Sequence, residues 1–511
     1  MSNNGRGGAS EHVFVLGLDG LSRAFLEAPI VRDTMRNLHA LLGDSSTGTL
    51  RSTTPPYTAP GWTSITTGME PDRHGVFSFT DRVGRPITAS RVAVPRVWDY
   101  VRAAGGRSIV VNVPLTHPPK PIEGSLVSGM PVPPGTTFTW PEALADTLSG
   151  MGYTIDIAVR EGSREPIGAL KRLGEMTEAR GRAARSLART ETWDLCMVVF
   201  VLPDRLGHPW WKYLVPGEAQ YETRRGERLR RAAVHPLRAL DEAIGDLLAE
   251  MPQSTAVILC SDHGFGPLHG EVFFDVSLAR AGLIDAPAAG PFKRTLVALG
   301  RSSASAAVPS GLRRWTRTRL QHERSDASKQ AWTSPAYERG VRLADPANDA
   351  VRDRVVRLLQ DLRDPAGDPV FRAVHRRDEV FQGPLADEAP DLICEPSSET
   401  IDLHDGLHAR DPWVSRDTFA WGTHAVDGVV AVKGASASDV IDGRAADVTP
   451  TVLRLLGLDA PGLDGASLVH RPVERLQTVP PSDQAGGSST SYSQEQEDEV
   501  LDHLRALGYV E

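Results

Sequence analysis

Four acidic or imidazole side chains stand where short apolar runs stop: Asp19 after VFVLGL, Asp204 in LCMVVFVLPD, and the adjacent Asp262 and His263 in TAVILCSDHG. Singly, an aspartate after a strand is as readily a turn former or helix cap. Repeated at equivalent topological places, these residues point to a site, because open parallel sheets collect ligands beyond the C-terminal ends of their strands. In PDRLGH, Asp204 and His208 are spaced i, i+4, so one helical turn brings a carboxylate oxygen and an imidazole nitrogen to one face, which suits a metal ion. Asp262 and His263 are chain neighbours, and neighbours in a regular strand point to opposite faces. The pair therefore belongs on the loop beyond its strand, where Gly264 gives the backbone freedom to turn. Mixed carboxylate and imidazole ligation fits zinc and, less exclusively, manganese or iron, being neither a thiolate site nor an all-oxygen cage.

PPYTAPGWTSITTGMEPDRHG (55–75) adds a hydroxyl. It predicts a helix over Ala59–Thr67 with Thr58 as cap, Pro60 in the first turn where its missing N–H is harmless, and Gly68 at the C-terminal end. Thr58 is then either a well-made cap or a nucleophile, since free N–H groups and the helix dipole favour negative charge there. A threonine hydroxyl is too weakly acidic to attack unaided, but a divalent metal lowers its pKa. A further imidazole comes from His424, ahead of VDGVVAVKG, or from His404 and His408 of HDGLH, also spaced i, i+4. His74 and His269 read as structural or rim residues. Trp210 and Trp211 line a pocket or pack the core. The basic run Arg313–Arg319 is a solvated helix face or a lid that attracts phosphate.

The elements that must position these groups are legible as periodicity. VFVLGLD (13–19), SIVVNVP (108–114), LCMVVFVLPD (195–204) and TAVILCSDHG (256–264) are candidate buried strands of a parallel sheet covered on both faces. Helical patterns lie between them near 144–152, 166–190 and 236–251, and the alternation predicts an α/β fold. Thr449 and Pro450 open a predicted helix in ADVTPTVLRLLGL (446–458). We divide the chain into a first part of the core (12–269), an insertion or cap (270–410), a second part of the core (411–470), and a linker with a docking helix (471–511). In that last helix Val500, Leu501, Leu504 and Leu507 form one stripe.

The chain has 511 residues and a net charge of −9, with 40% hydrophobic and 24% charged residues, so it is globular and carries no footprint for a nucleic-acid polymer. No window approaches the roughly 18 apolar residues of a spanning helix and no signal-peptide core follows the first residues, so a cytoplasmic protein with no membrane partner is expected. The three cysteines lack metal spacing and read as free thiols. Oligomeric state leaves no mark in the sequence.

The order DG, TAPGWTSITTGMEPDRHGV, PDRLGH, SDHGFG, GTH resembles the type I phosphodiesterase/nucleotide pyrophosphatase family of the alkaline phosphatase superfamily over most of residues 12–470. The resemblance implies an alkaline phosphatase-like fold and a metal-dependent hydrolase acting on a small phosphate ester through a phosphothreonine. Its implied nucleophile is Thr58. Asp204, His208 and His424 match the ligands of the family's first divalent metal, and Asp19, Thr58, Asp262 and His263 those of the second. The late GxH context favours His424 over His404 and His408. One departure is Phe79 in GVFSFTDR (75–82), where nucleotide pyrophosphatases carry a phosphate-binding asparagine. Either another donor such as Asn112 serves, or the substrate is different. A sulfatase would need Cys or Ser followed by x-Pro-x-Arg, and this run is Thr58-Ala-Pro-Gly-Trp62. A phosphomonoesterase, a phosphomutase of the superfamily and a catalytically silent metal-binding relative are the remaining alternatives.

Overall fold

A strand that is apolar throughout needs cover on both faces, and the first strand, β1 (His12–Leu18), shows how it is found. Phe14, Leu16 and Leu18 pack into one buried cluster, while Val13 and Val15 pack into another on the opposite face. The computed structural model describes residues 10–157, 159, 165–284, 329–334, 337–404, 411–415, 422–434, 441–469, 476–480 and 491–507.

The central sheet contains β1, β2 (Ser46–Arg51), β3 (Ser108–Val113), β4 (Gly124–Ser128), β5 (Thr139–Trp140), β6 (Leu195–Phe200) and β7 (Thr255–Cys260). After them in the chain come β8 (Gly264–Pro267), β9 (Gly270–Phe273), β10 (Ala331–Ser334), β11 (Tyr337–Leu343), β12 (Phe371–Arg376), β13 (Leu392–Pro396), β14 (Ile401–His404), β15 (Trp413–Ser415), β16 (Gly422–Ala425), β17 (Asp427–Lys433) and β18 (Gly443–Arg444). Nine of these form the main sheet in the order β18-β2-β17-β7-β1-β6-β3-β4-β5. β1 pairs in parallel with both β6 and β7, and β3 in parallel with β6 and β4, whereas β17 and β5 are antiparallel to their neighbours. The fold is therefore α/β with a mostly parallel sheet, flanked by helices.

The helices that matter for the site are α1 (Thr58–Thr67), α2 (Pro166–Thr190), α3 (Leu202–Leu214), α4 (Arg224–Glu250), α5 (Val448–Leu455) and α6 (Gln494–Leu507). α4 begins well before the anticipated residue 236, because Thr223 caps it by accepting from Gly226 N–H and the helix runs through Pro236. LCMVVFVLPD divides differently from the expectation: β6 ends at Phe200, and Asp204 lies in the first turn of α3. Thr58 is the first helical residue of α1 and not its cap. Tyr57 is the cap, since its carbonyl already accepts Gly61 N–H at 2.9 Å. Thr449 likewise does not cap α5. Asp447 does, and the Thr449 hydroxyl donates to Ile65 O of α1 at 2.8 Å. The stripe on α6 is buried as its spacing anticipated.

Beyond β9 the chain builds a four-stranded sheet, β10-β11-β13-β12, over its own apolar cluster that includes Val341, Val355, Leu359 and Leu392. This layer is pinned to the core. The Asp72 carboxylate accepts from Gln382 N–H at 2.9 Å and from Gly383 N–H at 2.6 Å, and Phe77 meets Phe381 edge to face at 5.3 Å. The Arg313–Arg319 run, His408 and most of the 471–493 linker lie outside the described residues. Among the described residues no helix is long and apolar enough to cross a membrane.

Candidate metal centre

Asp19 directly follows β1, and its carbonyl accepts Asp204 N–H at 3.0 Å, so two segments far apart in sequence are fixed to one another by backbone. Gly20 turns the chain there with φ 69°, a left-handed conformation. The i, i+4 geometry on α3 brings His208 Nε2 to 3.3 Å from Asp204 Oδ1. β16, too short to stand out in the sequence, pairs antiparallel with β8 and sets His424 opposite Phe265. His424 Nε2 thereby reaches 3.2 Å from Asp204 Oδ1 and 3.1 Å from His208 Nε2. On the other side, His263 Nε2 lies 3.5 Å from Asp19 Oδ1, 3.3 Å from Asp262 Oδ2 and 3.2 Å from Thr58 Oγ1. The His263 and His424 rings stack at 3.8 Å and join the two groups. All seven candidate residues named from the sequence are thus brought together.

Ligand atoms of Asp19, Asp262 and His263 lie within 4.8 Å of one another, as do those of Asp204, His263 and His424. His263 borders both groups, and the short distances from His208 to Asp204 and His424 add it to the second. Asp19 Oδ1 and Asp262 Oδ2 are buried and accept no hydrogen bond among the described residues. Burial, then the charge of Asp204, drives the Asp19 carboxyl well above the ordinary range; burial, then Asp19, does the same to Asp262. Asp204 shifts the other way. Burial would raise it, but His208 and Arg205 together with hydrogen bonds from His208 and His424 outweigh that and hold it well below the ordinary range. Burial lowers His263 and His424, keeping both as neutral imidazoles. Orphaned carboxylate oxygens facing neutral imidazoles fit divalent cations, which favour the ionised form of each acid.

Other residues hold these groups in place. Trp62, one turn after Thr58 on α1, donates its indole Nε1–H to Asp19 Oδ2 at 3.1 Å. Its ring lies against Gly17, where a Cβ would overlap the indole. Arg205 donates to Asp204 Oδ2 and, at 2.6 Å, to Asp156 Oδ2, so one guanidinium bridges two buried carboxylates. Ser261 Oγ accepts Leu21 N–H at 2.8 Å and donates to His263 O at 2.6 Å. The i, i+4 relation of Thr58 to Trp62 was a readable signal for the tryptophan. Asp156, isolated in TIDI, carried none.

Lesser candidates resolve individually. His404 lies 3.4 Å from Glu271 and stacks on Phe273. His74 sits 3.0 Å from Ser64 Oγ and accepts Val76 N–H, a structural role, and His269 lies 3.0 Å from Glu218. Trp210 and Trp211 pack in the core. Phe79 is buried with Ala59, Val76, Val500 and Leu504, so apolar packing against α6 occupies the position of the anticipated asparagine. The Asn112 amide is engaged with Val199 O at 3.4 Å and with the Tyr153 hydroxyl.

The model of the type I phosphodiesterase/nucleotide pyrophosphatase family matches residues 13–401. Phosphonoacetate hydrolase from Sinorhizobium meliloti 1021, solved in complex with phosphonoformate, superposes with a TM-score of 0.53 at 14% identity, over 86% of this chain and 95% of that one. Murine ectonucleotide pyrophosphatase/phosphodiesterase 5 superposes with a TM-score of 0.48 at 11% identity, over 89% of this chain and 97% of that one. At such identities the first likeness shows a shared fold. No curated protein matches the sequence.

Proposed function

The chain belongs to the type I phosphodiesterase/nucleotide pyrophosphatase family, a family of metal-dependent phosphoryl-transfer hydrolases, and on that premise we propose that it hydrolyses a small phosphodiester through a phosphothreonine at Thr58. The observation that carries this reading is the position of Thr58 Oγ1 at the N-terminal end of α1, 3.2 Å from Nε2 of His263, the imidazole shared by both ligand groups.

In the proposed reaction Thr58 Oγ1 attacks phosphorus in line. The Oγ1–P bond forms as the ester P–O bond breaks, and the leaving alcohol takes up the proton that the threonine loses. Water then attacks phosphorus from the vacated side, the P–Oγ1 bond breaks, and Thr58 recovers its proton as the phosphomonoester departs. The N–H groups of Thr58 and Ala59 precede the first intrahelical bond of α1, Gly61 N–H to Tyr57 O, and would stabilise the phosphoryl oxygens, with the helix dipole adding to this. Asp204, His208 and His424 would hold one divalent cation, and Asp19, Asp262 and His263 with Thr58 a second; zinc suits this donor set best, with manganese and iron as alternatives. Bound cations would polarise a phosphoryl oxygen and lower the pKa of the attacking hydroxyl and water.

Trp62 orients Asp19, and Arg205 takes one oxygen of Asp204, leaving Oδ1 toward the histidines. With Phe79 packed against α6, the contact that an asparagine makes in nucleotide pyrophosphatases is missing at this position, which favours a phosphodiester other than a nucleotide. The test is a panel of aryl diester, aryl monoester, nucleotide and sulfate ester on metal-loaded protein, with Thr58→Ala beside the wild type. Diester turnover that disappears in Thr58→Ala while metal content is unchanged supports the reading. Retained turnover in that variant overturns the nucleophile, and preference for the sulfate ester overturns the reaction.

A further inference from the structure

Where the inserted layer meets the candidate centre, a cation is buried with no anionic partner among the described residues. Arg339 of β11 is only 5% exposed, and its Nε has no hydrogen-bond partner among the described residues. Among the described residues it makes no hydrogen bond or ion pair; its recorded contact is a cation–π one, with Cζ 6.0 Å from the centroid of the Tyr57 ring. Ser334 Oγ, on the paired strand of the same hairpin, is also buried and has no partner among the described residues. Tyr57 is the cap of α1, immediately before Thr58, and its ring meets the His424 ring edge-on at 5.8 Å. The guanidinium therefore lies one aromatic ring away from the metal-ligand cluster.

An aromatic face offsets only part of what a guanidinium loses on leaving water. Arginine forms its strongest contacts as a planar fork to a carboxylate or phosphate. The scissile phosphate must sit against Thr58 Oγ1, whereas Arg339 meets the ring of Tyr57, whose other ring neighbour is His424. The group that satisfies Arg339 is consequently elsewhere on the same substrate. The clamp of Asp72 on Gln382 and Gly383 fixes the inserted layer against the core, so the guanidinium is held in advance of binding.

We propose that Arg339 is a specificity-determining residue that binds a second anionic group, carboxylate or phosphate, on the substrate, so that doubly anionic phosphodiesters are selected over singly anionic ones. This rests on the phosphodiesterase reading above. Three matched substrates test it: methyl 4-tolyl phosphate, methyl 4-carboxyphenyl phosphate, and the methyl diester bearing a 4-phosphate on the ring. The wild type should favour at least one anionic ester over the tolyl ester by about tenfold or more in kcat/KM. Arg339→Ala should erase that preference through KM while keeping the tolyl ester within about twofold, and Arg339→Lys should recover part of it. The preferred anionic ester tells carboxylate from phosphate. Unchanged preference in Arg339→Ala, or equal loss on all three esters, overturns the proposal. Calorimetric titration of the same esters into metal-loaded Thr58→Ala, with and without Arg339→Ala, separates the two readings. Should the wild type turn over none of them, the phosphodiesterase reading fails, yet tighter binding of an anionic ester that Arg339→Ala abolishes supports the anion site, and equal binding of all three overturns it.

Discussion

The indole N–H of Trp62 donates to Asp19 Oδ2 at 3.1 Å, so the helix that carries Thr58 also orients a carboxylate at the end of the adjacent strand. Trp62→Phe keeps most of the apolar contact and removes the donor. A hydrogen bond to a charged group contributes about 1.5–3 kcal/mol, so denaturant unfolding of the metal-loaded protein, in which Asp19 is ionised, should show a loss of that order. Phosphodiester turnover should fall by about tenfold, because a displaced ligand misplaces the reacting groups. Unchanged turnover and metal content would remove Asp19 orientation from the account.

Gly17 gives that indole its place. In Gly17→Ala the added methyl meets the ring directly, and overpacking of this kind costs about 1–3 kcal/mol. The loss should shrink in a Trp62→Phe background, where the smaller ring leaves room. A double-mutant cycle measures the coupling, and strict additivity would show that the methyl is absorbed elsewhere.

Arg205 bridges Asp204 and Asp156, all three being buried. Arg205→Met leaves two carboxylates without their shared cation, and breaking a buried pair from one side costs about 3–5 kcal/mol. Arg205→Met combined with Asp156→Leu should recover part of that stability without restoring turnover, since Asp204 still lacks its partner. Melting temperature and rate, measured together, check this. Wild-type turnover in the double variant would make the bridge purely structural.

His117 stacks on Tyr492 at 6.0 Å, and burial lowers its pKa to about 4. The unfolded chain binds this proton near the ordinary value of 6.5, whereas the folded chain refuses it until about pH 4. Between those values the unfolded state holds more protons, so stability falls as pH falls through that window and the loss is complete below it. His117→Gln should flatten this part of the stability curve relative to wild type. Parallel curves for the two proteins between pH 6.5 and 4 would contradict the assignment.

The sheet and the cluster of candidate ligands were legible because parallel strands announce themselves as apolar runs, and their polar stops mark one edge of the sheet. Asp19, Asp204, Asp262 and His263 were readable in that way. His424 needed its family context, because β16 is a four-residue strand that forms only by pairing with β8. Thr58 was read as a cap and proved to be the first helical residue, a shift that depends on which carbonyl accepts the first bond and not on composition. Arg205 stood beside a predicted ligand and was passed over, since an arginine after an aspartate is ordinary on a helix surface. Asp156 and Arg339 were invisible, because each acquires its neighbours only when distant segments meet.

His424 reaches Asp204 only through β16, more than 150 residues after His263 in the chain. During synthesis at ~5–20 residues per second, the interval between those two histidines is on the order of ten seconds. Throughout it, the nascent chain carries Asp19, Thr58, Asp204, His208, Asp262 and His263 without the strand that brings His424 to them. A chain that stops short of β16 therefore carries every residue of the Asp19, Thr58, Asp262 and His263 group but lacks one residue of the group around Asp204, so the two halves of the cluster are completed in a fixed order, the Asp204 half last.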